Sequence, residues 1–102
     1  MFIVENAIPL DDKFDENGII NDEERIQFFK DHIKQIELAI TKDYVDVLGY
    51  TTWAPIDMVS VSTGEMKKRY GFIYVDKNND GSPSYLSAMV HIARTSFSFF
   101  KV

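Results

Sequence analysis

The clearest pattern of apolar and polar positions lies between residues 22 and 41 and predicts an amphipathic α-helix. Its apolar residues follow one another at alternating spacings of three and four: Ile26, Phe29, Ile33, Ile36 and Ile40. This spacing places them along one side of a helix, which then packs against another part of the fold. We expect Asn21 to cap the helix, with Glu24 three residues later as its capping-box partner.

Two short apolar segments flank this helix and predict strands. Residues 2–4 read as a fully buried strand that ends at Glu5 and Asn6, and residues 45–52 are apolar and β-branched enough for a second. Pro55 prevents regular structure from continuing through it. A strand, a crossover helix of about 20 residues and a strand favour a parallel βαβ unit, whose two faces other elements must cover.

The remaining segments are loops, one short strand and a second helix. Residues 9–18 form a turn-rich acidic loop, and residues 70–75 form a short strand or extended segment closed by an Asp-, Asn- and Gly-rich turn over residues 76–81. From about residue 85 to 100 the apolar positions keep a helical period: Leu86, Met89, Val90, Ala93, Phe97 and Phe100. We therefore expect a final helix there.

These elements form one α/β piece that is incomplete on its own. No repeat, low-complexity tract or linker divides residues 1–102. Met1 directly precedes the first strand, as if the chain began inside a fold. Two parallel strands cannot close a sheet, and their exposed edges are rarely tolerated in an isolated protein. We expect a partner to complete the fold, either the missing part of a larger domain or a second copy of this chain.

Composition and charge exclude several classes of protein. A hydrophobic content of 45% rules out a disordered chain, and a net charge of -5 with scattered lysines and arginines argues against nucleic-acid binding. The absence of cysteine removes thiol catalysis and disulfides and fits the reducing cytoplasm, where we place the protein. No segment approaches the roughly 20 apolar residues that span a bilayer, so we expect no membrane partner.

Metal binding is a weak alternative. The loop at residues 76–81 fits the first half of a twelve-residue calcium loop, but position twelve is Ser87 instead of glutamate, and Lys13 occupies the first ligand position of the other acidic loop. His32 and His91 have no second histidine at ligand spacing. We expect neither a metal nor a cofactor.

The candidate chemistry begins at Glu5, a carboxylate at the C-terminal end of a buried strand, which is the catalytic face of an α/β barrel. The segment Ile3-Val4-Glu5-Asn6 resembles the nucleophile motif of family 1 glycoside hydrolases. The resemblance implies a retaining hydrolase, in which Glu5 attacks the sugar, Asn6 lies beside it and a second carboxyl serves as acid and base. In the family that second group lies in an Asn-Glu-Pro context, which this sequence lacks.

Two further segments extend the resemblance. Residues 49–57 are similar to the eighth barrel strand of the family, which implies that Trp53 borders the sugar pocket. Residues 60–76 look like the loop by which the 6-phospho-β-glucosidase subgroup holds the sugar phosphate. Ser60 and Val61 stand where enzymes acting on unphosphorylated sugars usually have glutamate and tryptophan. A hydroxyl there removes a like charge, whereas Lys68 adds a cation and Tyr70 a donor.

The phosphate ligands are therefore expected to include Lys68, Tyr70 and either Ser60, which we name first, or Ser62, since the loop length varies within the family. Two departures stand out: Ala7 replaces the usual glycine, and residues 82–92 match poorly.

The resemblance implies the C-terminal portion of a (β/α)8 TIM barrel, comprising its last two strands with their helices. The implied enzyme is a 6-phospho-β-glucosidase acting on phosphorylated β-glucosides. Because the acid/base half is missing, we expect the chain alone to be inactive, needing the N-terminal barrel portion as partner or self-association. The alternative is a truncated remnant that binds a sugar phosphate without turnover.

Overall fold

The computed structural model describes residues 1–82 together with the backbone of residues 90 and 91. Within these residues, four strands and one helix follow one another: β1 (Phe2–Asn6), α1 (Glu23–Lys42), β2 (Gly49–Thr52), β3 (Tyr74–Val75) and β4 (Val90–His91). β1 and β2 pair in parallel and β3 and β4 in antiparallel fashion. The predicted parallel βαβ unit is therefore confirmed, although its second strand begins at Gly49 instead of residue 45.

The sheet formed by β1 and β2 is open in this chain. Phe2 and Val4 of β1 are 54% and 59% exposed. The prediction that β1 is buried on both faces is thus wrong for the chain as it stands, because the described residues leave much of the sheet uncovered. Apolar side chains on an uncovered sheet face mark a surface that other elements normally cover.

Helix α1 has the predicted length but a different start. Asp22 is its N-cap residue, and the Asp22 side chain makes no capping bond to the backbone. Asn21 instead lies one residue further out and accepts the N–H of Glu23 at 3.1 Å, so the predicted capping box of Asn21 and Glu24 is wrong. Glu23 and Glu24 in the first turn and Lys42 in the last favour the helix dipole. Within the described residues, no helix combines the length and apolarity needed to cross a bilayer.

The core lies against the first turns of α1. Ile26 and Phe29 are buried, whereas Ile33 and Ile40 further along the same stripe are 47% and 44% exposed. Arg25 is fully buried and bonded to Asp22. The stripe is therefore buried at its N-terminal end, whereas Ile33 and Ile40 leave apolar surface exposed further along.

The segment after residue 53 is mostly irregular. Residues 70–75 were predicted as a short strand or extended segment, and of these residues Tyr74–Val75 has strand structure. The turn over residues 76–81 is confirmed: Gly81 N–H donates to Asn78 O at 3.0 Å, and Gly81 has a φ of 86°. Val90–His91 pairs with Tyr74–Val75, so the predicted final helix is wrong at those two residues. The other residues of that helix lie outside the described part of the chain.

Candidate active site

The parallel pairing of β1 and β2 brings two candidate residues to one end of the sheet. Glu5 lies near the C-terminal end of β1, and Trp53 follows directly after β2. The backbone N–H of Trp53 donates to the carbonyl oxygen of Asn6 at 3.1 Å, which ties the two strand ends together. Because the C-terminal ends of parallel strands meet at one edge, the carboxylate and the indole border the same space.

Glu5 occupies an irregularity in β1. Ile3 pairs with Tyr50 and Asn6 with Thr52, so three steps along β1 face two steps along β2. One extra residue of this kind makes a bulge, which redirects a side chain out of the strand alternation. Glu5 also has a φ of 58°, a left-handed conformation that is uncommon outside glycine. The backbone therefore turns this carboxylate out of the strand and toward solvent.

Asn6 is held by the neighbouring strand. The hydroxyl of Tyr50 donates to its Oδ1 at 2.6 Å, and burial raises the pKa of Tyr50 above its ordinary value of 10.0. The phenol therefore stays protonated and remains a donor at neutral pH. This bond fixes the amide of Asn6 beside the nucleophile candidate.

An open pocket of about 380 Å³ lies at these strand ends. Its lining consists of Glu5, Trp53, Ser60, Val61, Ser62 and Tyr70. Five of the seven candidate residues thus share one cavity, although Asn6 and Lys68 are not among its wall residues. An anionic group, two aromatic rings and three hydroxyls around one open cavity suit a polar ligand with an apolar face, as a pyranose has.

The two candidate serines differ in access. Ser60 is 2% exposed, and its carbonyl accepts the N–H of Gly64 at 2.7 Å in a tight turn. Ser62 is exposed, and its Oγ lies 3.2 Å from that of Ser60. Ser62 is consequently the more accessible of the two serines, and Ser60 is within hydrogen-bond distance of it.

Lys68 is engaged by a neighbour on the same loop. Its Nζ lies 3.3 Å from Oε2 of Glu65, and the Nζ of Lys67 lies 3.1 Å from Oε1. Hydrogen bonds from Lys67, then Thr63, then Lys68 lower the pKa of Glu65 to about 2. Glu65 therefore remains a carboxylate at every ordinary pH and draws Lys68 toward itself.

The segment that carries Lys68 and Tyr70 is anchored by residues not identified from the sequence. Oδ1 of the buried Asp57 accepts the N–H of Gly71 at 2.9 Å, and its Oδ2 accepts that of Val75 at 3.2 Å. Arg69 is also buried, with Nε 3.5 Å from Asp57 Oδ2. The available signal was Asp57 inside the otherwise apolar stretch of residues 54–59, because a charged side chain is rarely buried without a partner.

Metal-ligand geometry is absent from the part of the chain that the structure describes, where no three His, Cys, Asp or Glu residues could hold an ion. Nδ1 of His32 lies 2.8 Å from the carbonyl oxygen of Phe28, within its own helix. In the two acidic loops, Asp15 accepts backbone N–H groups of Asn17 and Ile19, and Asp80 accepts that of Ser82. These carboxylates thus stabilise turns.

Comparison with known proteins identifies the family of this chain. The family model described as glycosyl hydrolase family 1 matches residues 1–101. The aryl-phospho-β-D-glucosidase BglA of Bacillus subtilis is 48% identical over 99% of this chain and 20% of its own length. The 6-phospho-β-glucosidase of Dickeya chrysanthemi is 55% identical over 82% of this chain and 18% of its own length.

Solved structures show the same relationship. The family 1 β-glucosidase of Thermotoga maritima superimposes with a TM-score of 0.66 at 36% identity, covering 74% of this chain and 16% of that enzyme. The psychrophilic β-glucosidase BglU of Micrococcus antarcticus gives 0.66 at 35% identity, over 74% and 16%. The chain spans about a fifth of the length of the curated relatives and represents part of their TIM barrel. On these grounds the chain belongs to glycosyl hydrolase family 1.

Proposed function

We propose that residues 1–102 are the nucleophile-bearing part of a retaining hydrolase that cleaves β-glucosides phosphorylated at the 6-position of the sugar. The observation that carries the proposal is the single pocket that joins Glu5 to Trp53, Ser62 and Tyr70. Relatives named as phospho-β-glucosidases support the substrate class. Within the barrel, we assign β1 and β2 to the last two strands.

The sugar ring is held between the strand ends. Glu5 attacks the anomeric carbon as an ionised carboxylate and forms a covalent glycosyl-enzyme, which water later hydrolyses. Trp53 supplies an aromatic face for the apolar side of the ring. Asn6, oriented by Tyr50, binds a sugar hydroxyl near the reacting carbon. No cofactor takes part.

The phosphate is recognised by the loop that follows β2. Ser62 and Tyr70 donate from the pocket wall, with Ser60 supporting Ser62. Lys68 turns from Glu65 to the phosphate dianion, while Lys67 remains beside Glu65 and keeps that carboxylate paired. Charge-assisted hydrogen bonds of this kind are roughly twice as strong as neutral ones.

The acid/base must come from elsewhere. A retaining hydrolase needs a second carboxyl about 5–5.5 Å from the nucleophile. Among the described residues that line the pocket, Glu5 is the sole carboxylate. We therefore propose that the rest of a barrel supplies this group and covers the open sheet. The same observation favours a second candidate for the chain by itself, namely binding of a sugar phosphate without turnover.

The test places this chain in a complete barrel. Residues 1–102 replace the matched segment of the Bacillus subtilis enzyme BglA, and this protein is called the barrel fusion below. We expect it to hydrolyse p-nitrophenyl β-D-glucoside 6-phosphate in preference to the unphosphorylated glucoside. Glu5→Gln lowers kcat by about 10³-fold or more, because the nucleophile is lost. A folded barrel fusion that lacks turnover, or a Glu5→Gln variant that retains it, contradicts the proposal.

A further inference from the structure

We propose that Asp57 is a positioning residue for phosphate recognition: its buried carboxylate fixes the backbone that presents Tyr70 and Lys68 to the pocket. This inference rests on the proposed function. Asp57 itself is not among the residues that line the pocket, and its side chain is fully buried. It would therefore act through the phosphate ligands and not by contact with the substrate.

Both oxygens of the Asp57 carboxylate accept hydrogen bonds from the backbone of residues 71–75. Oδ1 accepts the N–H of Gly71, and Oδ2 accepts the N–H of Val75. The guanidinium of Arg69 lies 3.5 Å from Oδ2. Arg69 and Gly71 are the residues on either side of Tyr70. The carboxylate therefore contacts the chain immediately before and after Tyr70.

Burial alternates along this segment in the way that positioning requires. Arg69 and Gly71 are buried, whereas Lys68 and Tyr70 are partly exposed. Arg69 is locked further, because its guanidinium donates to the carbonyl oxygens of Val75 and Lys77 and lies 4.6 Å from the ring centre of Tyr74. The inward residues are thus fixed, and this leaves the outward pair to face a ligand.

The backbones of the two segments also touch. A Cβ at Gly71 would lie 2.6 Å from the backbone nitrogen of Asp57 and 2.7 Å from the carbonyl carbon of Ile56. Asp57 N–H donates to the carbonyl oxygen of Ile73 at 3.0 Å. Ser60 follows Asp57 by three residues, so the anchor joins the serine half of the phosphate site to the half that carries Tyr70.

The experiment compares variants of the barrel fusion on two substrates, p-nitrophenyl β-D-glucoside with and without the 6-phosphate. Asp57→Asn keeps an acceptor for Gly71 but turns an NH2 group toward Arg69 and the Val75 N–H, which are both donors. We expect KM for the phosphorylated substrate to rise about tenfold or more, with kcat changed less and KM for the neutral glucoside unchanged. Gly71→Ala pushes the two segments apart and should change the KM values in the same way. This second variant tests the proposal if Asp57→Asn does not fold.

Ile20→Ala is the control for lost stability, since Ile20 is 1% exposed and is not among the pocket residues. It should lower Tm without changing the ratio of the two KM values. The positioning role is overturned if the Asp57 and Gly71 variants leave that ratio unchanged or resemble Ile20→Ala. Absence of phosphorylated-substrate turnover in the unmutated barrel fusion would instead count against the proposed function.

Discussion

The hydroxyl of Tyr50 donates a hydrogen bond of 2.6 Å to Oδ1 of Asn6, across the two parallel strands whose ends carry the pocket. Tyr50 lies on β2 and Asn6 is the residue after Glu5. One strand thus sets the orientation of an amide that belongs to the other. The relationship links the pairing of the sheet directly to the candidate site.

Tyr50→Phe should remove this orientation without opening a cavity. We expect kcat/KM of the barrel fusion to fall roughly five- to tenfold, in line with about 1 kcal/mol for a hydrogen bond. Because burial raises the pKa of Tyr50, its stabilising contribution is complete below pH 10 and is lost as pH rises through the folded pKa. Unfolding free energies measured for both proteins against pH should differ by a constant below pH 10 and converge above it.

Glu65 should titrate at an unusually low pH. Its pKa of about 2 comes from Lys67 first, then Thr63 and Lys68. Any contribution to stability is therefore present above pH 4.5 and is lost as pH falls toward 2. Lys67→Ala should move the pKa back toward 4.5 by more than Lys68→Ala does. An NMR titration of the side-chain carboxyl measures this, and a midpoint near 4.5 in the unmutated chain would refute the pairing.

The two serines should contribute unequally to phosphate binding. Ser62 is exposed on the pocket wall, and the buried Ser60 is within hydrogen-bond distance of it. Ser62→Ala should raise KM for the phosphorylated substrate roughly ten- to a hundredfold, the range for a hydrogen bond to a charged group. Ser60→Ala should have a smaller effect. Steady-state kinetics of the barrel fusion decide the order, and a larger effect at Ser60 would reverse the assignment.

Arg25 should matter strongly for stability. It is fully buried between Asp22 and Asp12, and it donates to the carbonyl oxygen of Arg69 at 3.0 Å. Arg25→Met removes the cation that lies between two buried carboxylates and should cost about 3–5 kcal/mol in the free energy of unfolding. Lys34→Ala, which removes an exposed pair with Glu37, should cost no more than about 1 kcal/mol. Denaturant unfolding of the barrel fusion compares them, and equal losses would contradict this account of Arg25.

Sequence patterns predicted the local elements well where periodicity was strong. The helix and its parallel flanking strands followed from spacing and β-branched content. The bulge at Glu5 could not be predicted, because it depends on register between β1 and β2. The helix predicted at residues 90 and 91 was wrong. Val90 fits a helical spacing of apolar residues, but both residues pair with Tyr74–Val75 as a strand.

Some residues of the candidate site could be predicted from the sequence and others could not. A motif resemblance sufficed to nominate Glu5, Trp53 and Tyr70, which now line one pocket. Asp57 escaped notice, since its role depends on two backbone N–H groups 14 and 18 residues away. The apolar neighbours of Asp57 favour its burial, but a local pattern does not show which backbone N–H groups it binds.

The most direct measurement of the central claim is the identity of the residue that becomes glycosylated. The barrel fusion is treated with a 2-deoxy-2-fluoro-β-glucoside 6-phosphate bearing a good leaving group, which slows hydrolysis of the glycosyl-enzyme, and its peptides are mapped by mass spectrometry. The account predicts one sugar-phosphate adduct on the peptide containing Glu5, with the bond at that carboxylate. An adduct on a different carboxylate, or hydrolysis with no adduct at Glu5, would contradict it.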